Sequence, residues 1–470
     1  MLTYPSGRVV NFGYATGGGC CNSRLSSVAD ATTGTTLASS ISFNAAGGKL
    51  SETLNPGSNA IVETFTYNNP NQLTETKATM GSTTLMDFTY AYGTSSTNTG
   101  RLLSRTDTVQ PEHSMFYSYD SIYRLQQVVS QDTSWGIAWT FDAWGNRLTQ
   151  TPEGLATLKV GTQTIGYTNN RNTSDTYDAA GNVTNDGSHS YMYNAENQMV
   201  TMDGGAATYA YDGAGRRMVK TVGSETDYSF YGGPDSGRLC EFTTTNTGAT
   251  SASSSDHPFF HTTDHHGSAV LVITASGNMI ENNRTLPHGE QWLTDVSSTN
   301  NEKFTSYQRD SESGLDYAMS RYFQSTTGSF QSPSQVPAQI YKPTSLNAYA
   351  YISADPINSV DPSGVHPEEQ AQDGCTAEFL FISCTDASAP PCLQPEIGRG
   401  GIAAREVSTD CEGGTPGFPP RLIRVQRRRR SAGRMSRSRK ARLYWLRRRR
   451  SSEIQSTAPI REDEQVKSIH

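Results

Sequence analysis

Cysteine is scarce in this sequence and shows no pairing pattern. Seven occur in 470 residues (Cys20, Cys21, Cys240, Cys375, Cys384, Cys392 and Cys411), and none stands in a C-x-x-C pair. An odd count without that spacing indicates neither a zinc ribbon nor a disulfide framework. Four of the seven follow Gly364, which leaves a C-terminal disulfide pair open. Aliphatic mass is also low: hydrophobic residues make up 34%, too few for a dense helical core. Apolar residues at helical spacing are not sustained anywhere before residue 365. No apolar run approaches the roughly 20 residues that span a bilayer. The start, Met1-Leu2-Thr3-Tyr4-Pro5, lacks the charged and apolar regions of a secretory signal. H-E-x-x-H and G-x-S-x-G are absent.

What is plentiful is tyrosine, with 23 residues, and small turn-forming residues, with glycine at 42. They fall into a loose repeat. Its unit is an aromatic, a turn with Asp, Asn or Gly, then a polar and an apolar residue. Instances are Phe43-Asn44-Ala45-Ala46-Gly47-Gly48-Lys49-Leu50, Tyr119-Asp120-Ser121-Ile122-Tyr123-Arg124-Leu125 and Phe141-Asp142-Ala143-Trp144-Gly145-Asn146-Arg147-Leu148. Others begin at Tyr67, Tyr177, Tyr193 and Tyr211. The aromatic ends a strand and offers a broad face to its neighbour. The Asp or Asn side chain bonds amides ahead of it and starts a turn. Glycine three positions later supplies a positive φ. Hairpins of this kind bury a face only by stacking on one another. The expectation is all-β: a spiralling antiparallel sheet over residues 1–255 around a wet or hollow interior.

Charge divides the chain. Residues 1–420 hold 21 Lys/Arg against 41 Asp/Glu, whereas residues 421–450 hold 15 Lys/Arg and no acid. The basic run includes Arg427 to Arg430 and Arg447 to Arg450, with Tyr444 and Trp445 between. Such a low-complexity tail is expected to be disordered in isolation. It could neutralise nucleic-acid phosphates or an anionic membrane, or it could be an unselected reading frame with no partner.

Two landmarks precede the tail. Residues 258–291 contain Asp264-His265-His266-Gly267-Ser268, an apolar strand, and Pro287-His288-Gly289-Glu290. Residues 307–364 contain Arg309-Asp310, Gly314-Leu315-Asp316-Tyr317, Arg321-Tyr322-Phe323, Asn347-Ala348-Tyr349-Ala350-Tyr351 and Asp361-Pro362-Ser363-Gly364. In order and spacing these motifs resemble the core-domain signature of RHS/YD-repeat proteins, a family that includes bacterial polymorphic toxins, C components of insecticidal toxin complexes and the teneurins. The resemblance covers roughly residues 1–364. It implies a repeat array (1–255) and a core domain (256–364) that closes a hollow β-shell. A variable segment (365–420) and the Arg-rich tail (421–470) would follow. It assigns Asp264, Gly267, Ser268, Asp310, Gly314, Tyr317, Arg321, Tyr322, Pro362 and Gly364 to turns and scaffold.

The resemblance also implies chemistry at Asp361. In RHS relatives two Asp-Pro-x-Gly motifs pair their carboxylates as an aspartic-protease-like site that releases the C-terminal toxin. Here the cut would fall near Val365. A pair is needed because one group must act as acid while the other acts as base. The first motif is broken: Ser332-Pro333-Ser334-Gln335 puts Ser334 where its Asp is expected. Asp355 is the remaining substitute, and both Asp355 and Asp361 could instead only cap turns.

His261, Asp264, His265 and His266 lie within six residues and invite a metal reading. On a strand, neighbouring side chains face opposite ways, so no metal and no cofactor is expected. The reading that follows is a non-enzymatic shell that encapsulates and delivers its own C-terminal passenger. Alternatives are a cell-surface protein binding carbohydrate or a partner through its tyrosines, and a self-cleaving aspartic-protease-like core. Location would be secreted or cell surface with an export signal upstream, or cytoplasmic if the chain is complete.

Overall fold

The computed structural model describes residues 1–3, 8–15, 24–231, 238–245, 259–293, 300–336, 343–365 and 369–370, all within one compact unit, Met1–Gln394. The expected boundary at 255/256, nearly all of the 365–420 segment and the Arg-rich tail with its expected disorder lie outside them. Among the described residues there is no α-helix, only six short 3-10 turns. A 14-stranded sheet runs from Leu2–Thr3 to Gln163–Thr164, with every strand beside its sequence neighbours. Two small hairpins follow, then a six-stranded sheet from Tyr191–Tyr193 to Arg238–Thr245. The all-β array of hairpins read from the sequence is the fold observed.

One turn builds the array. Asp142 N–H donates to Asn146 O (3.0 Å) and Gly145 N–H to Asp142 O (3.3 Å). Asp142 Oδ1 accepts from the amides of Trp144 (2.8 Å) and Asn146 (2.9 Å), and Oδ2 from Asn146 Nδ2 (2.7 Å). The carboxylate thus replaces the strand partners these amides lack. The same bonds recur with Asp120, Asp178, Asn194 and Asp212 at the head. The fourth residue of each turn has a positive φ: +71° at Tyr123, +85° at Gly145, +96° at Gly181, +61° at Asn197 and +83° at Gly215.

The aromatic before the turn sits on a break in register. Thr140 pairs with Thr149 but Phe141 with Arg147, and Ala210 with Val219 but Tyr211 with Arg217. A residue skipped on one strand is a β-bulge, which sharpens local twist. It recurs before other turns, at Tyr14, Tyr67 and Tyr119, and adds twist to the sheet each time. Three tyrosine hydroxyls tie a hairpin to the one before. Tyr119 donates to Leu102 O (2.6 Å), Tyr211 to Met199 O (2.7 Å) and Tyr231 to Arg217 O (2.9 Å). Arginines stack on the next aromatic, Arg124 over Phe141 at 5.1 Å and Arg216 over Tyr231 at 4.9 Å. These tyrosines are therefore spent on packing the array.

Residues 259–365 lie against the array. The strand Ala269–Thr274 is buried along its whole length, so both of its faces are covered. Phe260, Leu271 and Ile273 share a core with Val28, Leu54, Met86 and Val128. Polar ties pin the same contact: Asn55 Nδ2 donates to Ala275 O (2.9 Å), Arg284 Nε to Asp107 Oδ2 (2.8 Å) and Leu102 N to Asn358 Oδ1 (2.7 Å). A second aromatic core gathers Phe304, Tyr307, Phe323, Phe330 and Tyr351 beneath the last turn.

Candidate functional site

That last turn begins at Asp361 and is the repeat turn once more. Gly364 N–H donates to Asp361 O (3.2 Å), and Val365 N–H donates to Asp361 Oδ1 (3.1 Å). Gly364 has φ +67°. A Cβ there would lie 2.3 Å from Ala318 O, so this position needs glycine on both counts. Pro362, with its fixed φ, follows the Asp and gives up an amide the turn does not use.

Around the turn the chain is gripped by buried groups. Arg321 reaches it from the strand edge at Tyr322–Gln324. Its Nε donates to Gly364 O, its Nη1 to Ala348 O (3.1 Å), and its Nη2 to Asp361 Oδ2 (3.4 Å). The guanidinium lies 3.5 Å above the Phe330 ring. Burial pushes its pKa down to about 10 against the pull of Asp361, so it stays cationic at neutral pH. Tyr307 Oη donates to Asp361 O. Ser334 Oγ donates to Val365 O (3.1 Å), and Ser334 N donates to Ala348 O (2.8 Å). Ser334, placed by sequence where an Asp was expected, therefore meets the Val365 carbonyl, in the region where the cut was expected.

Asp355 is not brought to Asp361. It pairs with Arg101 and accepts from Asn358 Nδ2 (2.8 Å). Burial raises its pKa, with Arg101 opposing. The two carboxylates take separate partners, and the group beside Val365 is an alcohol. A serine hydroxyl is not an acid at neutral pH, so the arrangement supplies hydrogen bonds that hold the peptide.

The other scaffold residues form two clusters. Asp310 is buried and pairs bidentately with Arg217, whose Nη2 also donates to Gln308 Oε1 (3.0 Å). Arg217 Nη1 donates to Tyr322 Oη (3.0 Å), and the guanidinium lies 4.3 Å from the Tyr317 ring. Burial disfavours the Asp310 carboxylate, but Arg217 and Lys220 outweigh it and hold its pKa low. Gly314, φ +69°, closes the following turn by donating to Asp310 O (2.7 Å). Asp264 heads a repeat-type turn, accepting from the amides of His266 (2.9 Å) and Ser268 (3.0 Å), with Gly267 at φ +78°. Ser268 Oγ in turn accepts from Thr305 N (3.1 Å).

The expectation for the histidines rested on strand geometry, and there the structure differs. His265 and His266 are turn residues, and their rings lie 3.7 Å apart. Arg217, Arg101 and Tyr307 carry much of these clusters without having been singled out. For Arg217 there was a signal: in Arg216-Arg217 one arginine locks its own turn (Arg216 Nε to Asp212 Oδ2, 2.9 Å), which leaves the second for another purpose.

Comparison with known proteins places these features in context. Residues 38–357 match the family model for the teneurin YD-shell. The tRNA3(Ser)-specific nuclease WapA of Bacillus spizizenii is 29% identical over 266 residues, 51% of this chain and 11% of that protein. The tRNA nuclease WapA of Bacillus subtilis is 28% identical over the same shares. Among solved structures, TcdB2-TccC3 superposes with a TM-score of 0.63 at 19% identity, covering 77% of this chain and 21% of that one. The Tc holotoxin pore of Photorhabdus luminescens gives 0.63 at 18%, covering 81% and 21%. This chain thus spans about a tenth of the curated relatives and a fifth of the solved chains.

Proposed function

This chain belongs to the teneurin YD-shell family, and from that premise we propose that it is a non-enzymatic section of shell wall that holds and delivers its own C-terminal passenger in a secreted or cell-surface toxin system. The observation that carries the reading is the grip on Gly364–Val365 by Arg321, Asp361 and Ser334. Each group there is hydrogen-bonded as a holder, and the second carboxylate that release would require is replaced by a hydroxyl. Relatives named as nucleases and toxin components support a toxic passenger. The passenger's chemistry would reside in residues 365–470.

Two measurements test this together. Thiol labelling of the native full chain should spare Cys375, Cys384, Cys392 and Cys411 until the shell is denatured. Expression of 365–470 alone should slow bacterial growth, and the full chain should not. Immediate labelling of all four thiols together with unimpaired growth would remove the passenger reading.

A surface-binding role is the second reading, favoured by the exposure of Tyr123 (51%) and Trp144 (45%) at neighbouring turns. Glycan-array binding lost in Trp144→Ala would support it. Binding of nucleic acid through 421–450 would appear as affinity falling steeply with salt.

A further inference from the structure

The stacked histidines form a cluster that the turn and scaffold roles leave unexplained. His265 Nε2 lies 3.2 Å and His266 Nε2 2.7 Å from the same atom, the carbonyl oxygen of Ile357. Asp264, buried, completes the group, and the ligand atoms of all three residues lie within 4.8 Å of one another. Three atoms bound to one metal at about 2.1 Å are separated by about 3.0 to 3.4 Å for octahedral or tetrahedral geometry. The His265 Nε2–O separation falls within that range and the His266 Nε2–O separation just below it.

A second observation concerns the tautomer. His265 Nδ1 is buried without a hydrogen-bond partner, so only Ile357 O holds the proton on that ring's Nε2, and a metal that displaces it breaks no other bond of the ring.

We propose that Asp264, His265, His266 and the Ile357 carbonyl form a binding site for a divalent first-row transition ion of zinc type. The donor set selects the ion. Two imidazoles suit zinc, nickel or copper, whereas magnesium and calcium require more oxygen ligands than are present. Arg105 faces the cluster, its Nη1 3.5 Å from Asp264 Oδ2. It opposes a cation and also claims part of the carboxylate, so the imidazoles are the principal ligands. The site joins two separate parts of the chain. Residues 264–266 form the turn after the strand Phe259–Thr263, and residue 357 lies between Asp355 and Asn358, which bond Arg101 and Leu102 of the array. A bound ion would fasten the segment leading to the Asp361 turn onto the wall.

The test uses the purified full-length chain, reduced and freed of metal, titrated with zinc against a chromophoric chelator. Wild type should hold one equivalent that is weakened at least tenfold in His265→Gln and in His266→Gln, with glutamine keeping a donor for Ile357 O. Zinc should raise the melting temperature of wild type and leave both variants unmoved. Zinc X-ray absorption of the wild-type complex covers the case of variants that fail to fold: it should show nitrogen and oxygen neighbours, whereas a sulfur shell would assign the ion to the cysteines and overturn the site. No binding by wild type, or equal binding by folded variants, would overturn it equally.

Discussion

Replacing Arg217 with methionine should be among the most damaging single changes in the array. The side chain is 2% exposed and its partner Asp310 is fully buried. Methionine fills much of the same volume, so the loss is chiefly electrostatic. Asp310 would keep one cation, Lys220 Nζ at 3.2 Å, while Gln308 and Tyr322 each lose a donor. Breaking one side of a buried pair costs about 3–5 kcal/mol. With Lys220 remaining, the lower end applies, about 3 kcal/mol. At an m-value of about 3 kcal/mol/M the urea midpoint should fall by about 1 M. Adding Asp310→Asn should recover part of the loss, because the uncompensated charge is removed. Lys77→Met, which removes a partly exposed cation from Asp87, should cost clearly less. The pH dependence has a definite sign. Arg217 holds the Asp310 carboxyl below its ordinary 3.8, so the pair stabilises the fold above that pH and the gain is lost as pH falls through the folded value. The gap between wild type and Arg217→Met should therefore narrow in acid. An Arg217→Met loss no larger than that of Lys77→Met, or unchanged by Asp310→Asn, would refute the reasoning.

Two further substitutions probe the turns and the buried carboxyls. Gly364→Ala forces a side chain into a positive φ and against Ala318 O, and should cost about 2–3 kcal/mol. Gly145→Ala, at φ +85° but in open space, should cost only about 1 kcal/mol; equal losses in thermal melts would deny the close approach. Burial and then the charge of Asp186 push the Asp175 pKa up to about 6. A carboxyl raised in the fold favours the native state only while protonated, and that benefit is lost as pH rises through about 6. Asp175→Asn should accordingly stabilise by about 1–2 kcal/mol at pH 8, after discounting for partial exposure, and by nothing near pH 3.5. A gain independent of pH would place the effect elsewhere.

The repeating hairpins were legible because their physics is local. An aromatic, an Asp or Asn and a glycine three places on are enough to specify the turn at Asp142, and the same bonds reappear at Asp264 and Asp361. That likeness also explains why Asp361 reads ambiguously in sequence, since a turn-capping Asp and a catalytic one look alike there. What sequence did not reveal depends on distance along the chain. Arg217 and Asp310 are 93 residues apart, and no local pattern joins them. The closeness of the two histidine rings is not legible because side-chain alternation holds only along a strand, and residues 265 and 266 have already left it. Sequence shows a serine at position 334 where the motif has Asp, but only the fold shows that its hydroxyl meets Val365 O.

Intact mass spectrometry of the purified chain, stored for days at neutral pH, tests most directly whether the Asp361 turn holds its downstream segment or releases it. Wild type should remain a single full-length species. Ser334→Asp, which returns a second carboxyl beside the Val365 carbonyl, should divide into two species that meet near Val365, and Asp361→Asn added to it should restore the single mass. A wild-type chain that arrives already cut near Val365 would contradict the account.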